Sequence, residues 1–160
     1  MVRRRPAALL AATTLVLVTG CATTVPTQVG PDATDPVCAD VVLSTPDELS
    51  GLSRKDTNAQ ATTAWGEPEA AIILRCGVQP LGPTTDRCVT VESADGTSID
   101  WVVTQGDTDS NEGDATFTTY GRVPAVEVFV PASVRKEHST SMLIDLGPAV
   151  ARTDQQRSCL

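Results

Sequence analysis

The sequence predicts an α+β domain in which a small antiparallel sheet of about five strands lies between short helices at both ends. Three observations lead to this prediction. Runs of β-branched and apolar residues follow one another between residues 71 and 130, helical signals occur near each end of the domain, and four cysteines supply two disulfides. Strands in one run with helices placed at the ends are typical of the α+β class.

The strand predictions rest on composition and on the turn residues between the runs. Asp95-Gly96 separates two runs and is a strong hairpin signal, while Ile99, Trp101 and Val103 alternate on one face. The predicted strands are residues 71–77, 88–91, 99–103, 115–120 and 125–130.

A short helix is predicted to begin at Thr45. This residue is a suitable N-cap, Pro46 suits the first helical position, and Glu48 completes a capping box. Gly51 is expected to end the helix.

A second helix is predicted near the C-terminus. We expect Gly147-Pro148 to kink or divide it, because proline lacks the backbone N–H and clashes with the preceding turn. The apolar residues at helical spacing there are Met142, Leu143, Leu146 and Val150.

The N-terminus has the pattern of a lipoprotein export signal. Arginines at 3–5 precede an uncharged run over 7–18, which is shorter than the roughly 20 residues of a membrane-spanning helix and fits a signal peptide. Gly20-Cys21 then reads as a lipobox, in which the thiol takes a diacylglyceryl group and the chain is cut before the cysteine. Two acyl chains give a stable membrane anchor. Because Pro6 follows the arginines directly, we expect the general secretory route.

These signals predict three parts. Residues 1–20 are expected to form the signal peptide, 21–37 the lipidated cysteine and a flexible Thr/Pro-rich tether, and 38–160 a single α+β domain. A flexible tether of this length spans about 20 Å on average. The domain is therefore expected on the extracytoplasmic face of the membrane, held by its lipid.

The charge balance excludes some partners. Removal of the signal leaves 9 basic residues against 20 acidic ones, and a cationic patch is what nucleic acid requires. We therefore expect no nucleic-acid partner and no flat binding to anionic lipid.

Four cysteines remain beside Cys21, an even number that predicts two disulfides in an oxidising compartment. Three pairings are open, and we favour Cys76–Cys88, which closes a short loop, with Cys38–Cys159, which ties the two ends of the domain. Zinc is disfavoured because no Cys-x-x-Cys is present and His138 is the only histidine. No metal and no cofactor are expected.

Five distinctive segments occur in order along the chain: Ala64-Trp65-Gly66-Glu67-Pro68, Ile73-Leu74-Arg75-Cys76-Gly77-Val78, Asp100-Trp101, residues 118–128 with Thr-Tyr-Gly-Arg, and Val130-Pro131. Together they resemble a family of exported actinobacterial proteins, domain of unknown function 3515. The resemblance covers most of 38–160. It implies a small lipoprotein or membrane-attached domain without an assigned activity, and it supplies no catalytic residues.

The candidate binding residues are Trp65, Arg75, Tyr120 and Arg122. Trp and Tyr give large contact areas at low entropic cost, and Arg binds carboxylates through its planar fork. Carboxylates occur on peptidoglycan stems and on many envelope proteins. The structural alternative is that Trp65 lies in the core and that Arg75 pairs with a nearby carboxylate.

Catalytic and metal-binding patterns are weak. His138 lies in a charged stretch and reads as a solvated surface residue, and no Gly-x-Ser-x-Gly is present. Residues 107–118 resemble a calcium loop, but Glu112 stands where glycine is needed and Thr118 where a bidentate glutamate belongs. Carboxylates that a glycosidase could pair are Glu67, Glu69, Asp100 and Glu127.

The sequence therefore predicts a non-catalytic binding or accessory module at the cell envelope, with an envelope protein or a peptidoglycan component as partner. An enzyme acting on cell-wall material and a structural subunit of a membrane complex are the alternatives.

Overall fold

The computed structural model describes residues 24–105, 113–137 and 141–159. These residues form an eight-stranded antiparallel sheet with short helices on one face, and a separate two-stranded ribbon. The protein is mostly β, so the predicted α+β domain with about five strands is wrong. Within the described ranges, no helix has the length and apolar character needed to cross a membrane.

The helices are α1 (Pro36–Leu43), α2 (Ala132–Glu137) and α3 (Met142–Val150), with one 3-10 turn at Pro68–Ala70. The strands are β1 (Glu48–Leu49), β2 (Leu52–Lys55), β3 (Thr62–Trp65), β4 (Ile72–Val78), β5 (Cys88–Glu92), β6 (Ser98–Gln105), β7 (Ala115–Thr119), β8 (Arg122–Val123), β9 (Ala125–Val130) and β10 (Asp154–Gln155). The large sheet has the order β1-β2-β3-β4-β9-β7-β6-β5. The ribbon pairs β8 with β10.

The five predicted strands are present as β4, β5, β6, β7 and β9, within two residues at each end. The difference in fold lies in β1, β2 and β3, which extend the sheet at one edge. The sequence of β3 is Thr-Thr-Ala-Trp, and all four residues are buried. A strand with no exposed face lacks the alternation by which half-buried strands are predicted.

The helix predicted over 45–51 is wrong. Leu49 and Leu52 pair across a hairpin, and the two residues between them, Ser50 and Gly51, have φ angles of 52° and 75°. Positive φ at both central residues is the geometry of a type I′ turn, which matches the twist of antiparallel strands. Gly51 therefore closes a hairpin and does not end a helix.

The first helix begins earlier, at Pro36. Asp35 is its N-cap, and its carboxylate accepts a hydrogen bond from the Val37 backbone N–H at 2.9 Å. Proline at the first helical position is favourable because its missing N–H would have no partner inside the helix.

Residues 25–33, which we call the N-terminal strap, pack on the domain instead of forming a free tether. Val25 is fully buried, and its N–H donates to the Asp56 carbonyl at 2.9 Å. Farther along, the Asp32 N–H donates to the Gly77 carbonyl at 2.8 Å. A Cβ on Gly30 would overlap the Gly77 backbone, so this close contact needs glycine. The expected flexible segment 21–37 is therefore ordered wherever the structure describes it.

The core lies on the face of the sheet that carries the helices, which we call the inner face. Trp65 and Trp101 are fully buried there, beside Leu74 and Val128 of the central strands. Alternate residues of β4 and β9 point to this face. Burial of such side chains contributes roughly 1.5–3 kcal/mol each.

Two disulfides are present, as predicted, but the favoured pairing is wrong. Cys38 bonds Cys76 and thereby joins α1 to β4, and Cys88 bonds Cys159 and joins β5 to the C-terminal segment. The closed loops span 38 and 71 residues, which in the chain-entropy model gives about 4 kcal/mol for each bond. Loop length could not select the pairing, because the partner of each cysteine is decided by strand order.

Helix α3 continues through Gly147-Pro148, and a neighbouring hydroxyl makes this favourable. Pro148 lacks the N–H that would bond the Ile144 carbonyl, and Ser93 Oγ donates to that carbonyl at 2.6 Å. Ser93 follows β5, and a Cβ on Gly147 would overlap its Oγ. Because Gly147 has no side chain, Ser93 Oγ can reach the Ile144 carbonyl, which Pro148 leaves without its helical donor. The predicted division of the helix does not occur.

We expect Ser93→Ala and Gly147→Ala to destabilise the domain through the same lost hydrogen bond. Ser93→Ala removes the donor, at a cost of about 1 kcal/mol, and Gly147→Ala displaces it. The double variant should therefore cost clearly less than the sum of the two, measured by urea unfolding with the disulfides intact. Additive costs, to within about 0.5 kcal/mol, would show that the two residues act independently.

Candidate functional site

The face of the sheet opposite the helices, the outer face, carries two rows of paired side chains. Ile73 of β4 pairs with Phe129 of β9, which also pairs with Thr116 of β7. Two residues along, Glu127 of β9 lies between Arg75 of β4 and Thr118 of β7. These six residues, which we call the window, occupy the middle of the outer face: Ile73, Arg75, Thr116, Thr118, Glu127 and Phe129.

Both ends of the described chain cover the outer face beside the window. The N-terminal strap lies over the β3–β4 side, where Val25 packs with Ala64, Ala71 and Ile73. The C-terminal strap, residues 153–159, lies over the β5–β6 side, where the Cys159 N–H donates to Asp100 Oδ2 at 2.8 Å. The window is thus the part of the outer face that neither strap covers.

Two depressions of about 590 and 350 Å³ open on the window. Thr27 and Gln28 of the N-terminal strap line the larger one, and Val29 lines the smaller one. Arg75 and Glu127 line both depressions and therefore separate them. These volumes fall within the range of ligand-binding clefts, about 300–1,000 Å³.

Arg75 and Glu127 form an ion pair at the centre of the window. Arg75 Nε donates to Glu127 Oε1 at 3.0 Å, and Nη2 donates to the same oxygen. The side chain of Arg75 is 26% exposed to solvent, and that of Glu127 is 18% exposed. A partly buried, charge-assisted pair of this kind holds both groups in fixed positions.

The Tyr-Gly-Arg segment holds the C-terminal strap. Arg122 is buried, and its Nη1 donates to the Thr153 carbonyl at 2.7 Å. The Gly121 carbonyl accepts from the Gln156 N–H at 2.7 Å. A Cβ on Gly121 would overlap the Arg157 carbonyl, and its φ is 67°. Burial lowers the pKa of the Arg122 guanidinium, an effect that the nearby Asp100 carboxylate opposes. Gly121 and Arg122 therefore hold the C-terminal strap on the sheet.

Asp100 organises the same corner. Its two carboxylate oxygens accept from Thr90 Oγ1 at 2.6 Å and from the Cys159 N–H at 2.8 Å. The sulfurs of Cys88 and Cys159 lie within 4.8 Å of this carboxylate. They are bonded to each other, so they do not offer the thiolates that a metal would bind.

Each of the four candidate binding residues lies in a different part of the structure. Trp65 is fully buried on the inner face, where its Nε1 donates to the Pro46 carbonyl at 2.9 Å. Arg122 is buried under the C-terminal strap, and Tyr120 lines a depression of about 280 Å³ beside the Cys88–Cys159 disulfide. Arg75 alone of the four lies in the window. The structure does not bring the four residues together.

Of the carboxylates that the sequence offered, only Glu127 lies in the window. Glu67 is exposed and pairs with Lys55 at 3.0 Å, and Glu69 is exposed. Glu127, which the sequence offered as one of several scattered carboxylates, is the partner of Arg75. His138 and residues 107–112, the first half of the calcium-like segment 107–118, lie outside the described residues.

The chemistry of the window suits binding. It combines two apolar side chains, two threonines and one ion pair, and the N-terminal strap adds the amide of Gln28 and the hydroxyl of Thr27. A neutral mixture of this kind can pack against an apolar group and hydrogen-bond a polar one beside it. The sequence did not predict that Arg75 and Glu127 pair, because this requires knowing that β4 and β9 are neighbours and in which register they pair. Opposite charges that face each other on adjacent strands attract.

The fold and the window together describe a disulfide-bonded, single-sheet domain with an open central face. Residues 7–159 match the family described as Protein of unknown function (DUF3515), and the chain belongs to this family, as its motifs predicted. No curated protein and no solved structure matches the chain.

We expect Gly121→Ala to release the C-terminal strap. The added Cβ meets the Arg157 backbone at a residue whose φ already disfavours a side chain. Hydrogen exchange should rise over residues 153–157, and stability should fall by about 2 kcal/mol or more.

The matched control for this variant is Gly96→Ala. Gly96 has a φ of 85°, but no atom lies within 4 Å of an added Cβ. This variant should cost only about 1 kcal/mol, the strain of the left-handed conformation, and should leave exchange in the strap unchanged. Equal behaviour of the two variants would contradict the role assigned to Gly121.

Proposed function

We propose that this protein is a lipoprotein on the extracytoplasmic face of the cell membrane, anchored through Cys21, and that its domain is a non-catalytic binding module. The N-terminal signal supports the anchoring, since positive charges, a short apolar run and Gly20-Cys21 occur in the order of a lipobox. The two disulfides agree with an oxidising compartment outside the cytoplasm. The partner is a component of the cell envelope.

The observation that carries the binding proposal is the window. A sheet face that is closed by chain segments on two sides and open in the middle presents a defined surface for contact. Its central ion pair is held by β-strands, so a partner meets groups that are already ordered. The remaining groups are apolar side chains and hydroxyls, which contribute contact area and hydrogen bonds.

The binding proposal predicts that Arg75 and Glu127 are needed for contact with the partner and are not needed for folding. Replacement of both by methionine removes the charges and keeps most of the volume. Replacement of an ion pair by apolar residues is often neutral for stability, whereas loss of a charged hydrogen bond to a ligand costs about 1.5–3 kcal/mol. The double variant should therefore fold and should bind its partner at least about tenfold more weakly.

This loss can be measured with a photo-crosslinking residue in living cells. Placed at Phe129 in the window, the residue should give a discrete adduct that the Arg75→Met/Glu127→Met variant loses. The same residue at Leu43 is the control, since that side chain is 79% exposed on α1, away from the outer face. An undiminished adduct in the folded double variant, or equal adducts from both positions, would contradict binding at the window.

The anchoring is tested separately with an alkyne-labelled fatty acid. Wild-type protein should carry the label and partition into detergent, and Cys21→Ala should carry none. The four cysteines of the domain should resist alkylation until a reductant is added. Recovery of unlabelled wild-type protein with free thiols from the cytosol would overturn the proposed location.

A further inference from the structure

The distance between Cys21 and the first buried residue of the domain is short. Val25 has no exposed surface and forms a bridge with Thr57. The N–H of Thr27 donates to Asn58 Oδ1 at 2.8 Å. Four peptide units join Cys21 to Val25, and a fully extended chain of that length spans about 14 Å. An acylated Cys21 therefore holds this edge of the domain within about 14 Å of the lipid attachment.

Chain length also limits the distance between the window and Cys21. Thr27 lines the larger depression and lies six residues after Cys21, so it cannot be more than about 22 Å from the anchor. Ile73 connects the two regions, since it packs against the Val25 cluster and also lines the depression. The near side of the window is thus tied to the surface of the bilayer.

The charges restrict what can occupy the window at this distance. The mature chain carries 9 basic and 20 acidic residues, so anionic lipid headgroups are repelled. Within the window, Arg75 is neutralised by Glu127, which leaves no uncompensated cation for a phosphate. A glycan is disfavoured as well, because Phe129 is the one aromatic side chain among the window residues and stacked rings are absent there.

A polypeptide segment fits the remaining chemistry. Its backbone is neutral and offers both donors and acceptors, which suits the hydroxyl of Thr27 and the amide of Gln28. Its apolar side chains can pack on Ile73 and Phe129. A segment that reaches the window must come from a molecule that lies near the bilayer.

We propose that the window binds an extracytoplasmic segment of an integral membrane protein, and that the short link from Cys21 holds it against the bilayer for this purpose. The proposal rests on acylation of Cys21, as in the proposed function, and adds the class of partner and the placement of the domain.

The placement can be measured by energy transfer to a dye on the surface of phosphatidylcholine vesicles that carry the full acylated protein. A donor is attached at Gln60, beside the N-terminal strap, or at Ala94, in the β5–β6 turn; both residues are exposed. Five strand spacings separate β3 from β5, or about 24 Å. Transfer from residue 60 should exceed transfer from residue 94 at least about twofold.

A matched variant lengthens the link between Cys21 and the domain. Sixteen Gly/Ser residues inserted between Thr23 and Thr24 add about 22 Å of average reach and should make transfer from the two positions equal. Equal transfer without the insertion would overturn the close placement. Failure of the protein to associate with vesicles at all would instead contradict the proposed lipid anchor, so the two outcomes are distinguishable.

The class of partner is tested by mass spectrometry of the adduct formed from position 129. An adduct peptide within about 20 residues of a membrane-spanning helix in the captured protein, lost in Arg75→Met/Glu127→Met, supports the proposal. A soluble exported protein, a lipid or a glycan fragment in the same adduct would overturn it.

Discussion

The contact between the N-terminal strap and the Gly77 backbone is the constraint on which the rest of the molecule depends. A Cβ on Gly30 would overlap the Gly77 backbone, and a Cβ on Gly77 would overlap the backbone of Asp32 and Ala33. The adjacent Cys76 is bonded to Cys38 of α1. This contact fixes the path of the chain from the outer face to the helices of the inner face. It therefore determines which part of the sheet the N-terminal strap covers.

The two disulfides have related effects at opposite sides of the sheet. Cys38–Cys76 fixes the helix that follows the N-terminal strap, and Cys88–Cys159 fixes the end of the C-terminal strap. Each strap also has a backbone contact that requires glycine, at Gly77 and at Gly121. The boundaries of the window are therefore held both by covalent bonds and by close packing.

The sequence predicted the parts of this fold that depend on local signals. β4 and β9 could be predicted because their apolar residues form buried faces. The two disulfides could be predicted because four cysteines remain beside Cys21. β3 was missed because it is buried on both faces, and the 45–51 segment was misread because a Ser-Gly turn and a helix end use the same residue type. The N-terminal strap was missed because its buried apolar side chains, Val25 and Ala33, are eight residues apart in a Thr/Pro-rich stretch.

The window shows why the site was only half predicted. Arg75 and Glu127 were each recognised as candidates, but one as a binding residue and the other as an isolated carboxylate, because their pairing depends on the order of non-consecutive strands. Trp65 and Arg122 were chosen for their chemistry and are used inside the protein, where a large ring fills the core and a guanidinium satisfies several carbonyls. Residue type therefore indicates what a side chain can do, whereas strand order decides whether it faces a partner or another part of its own chain.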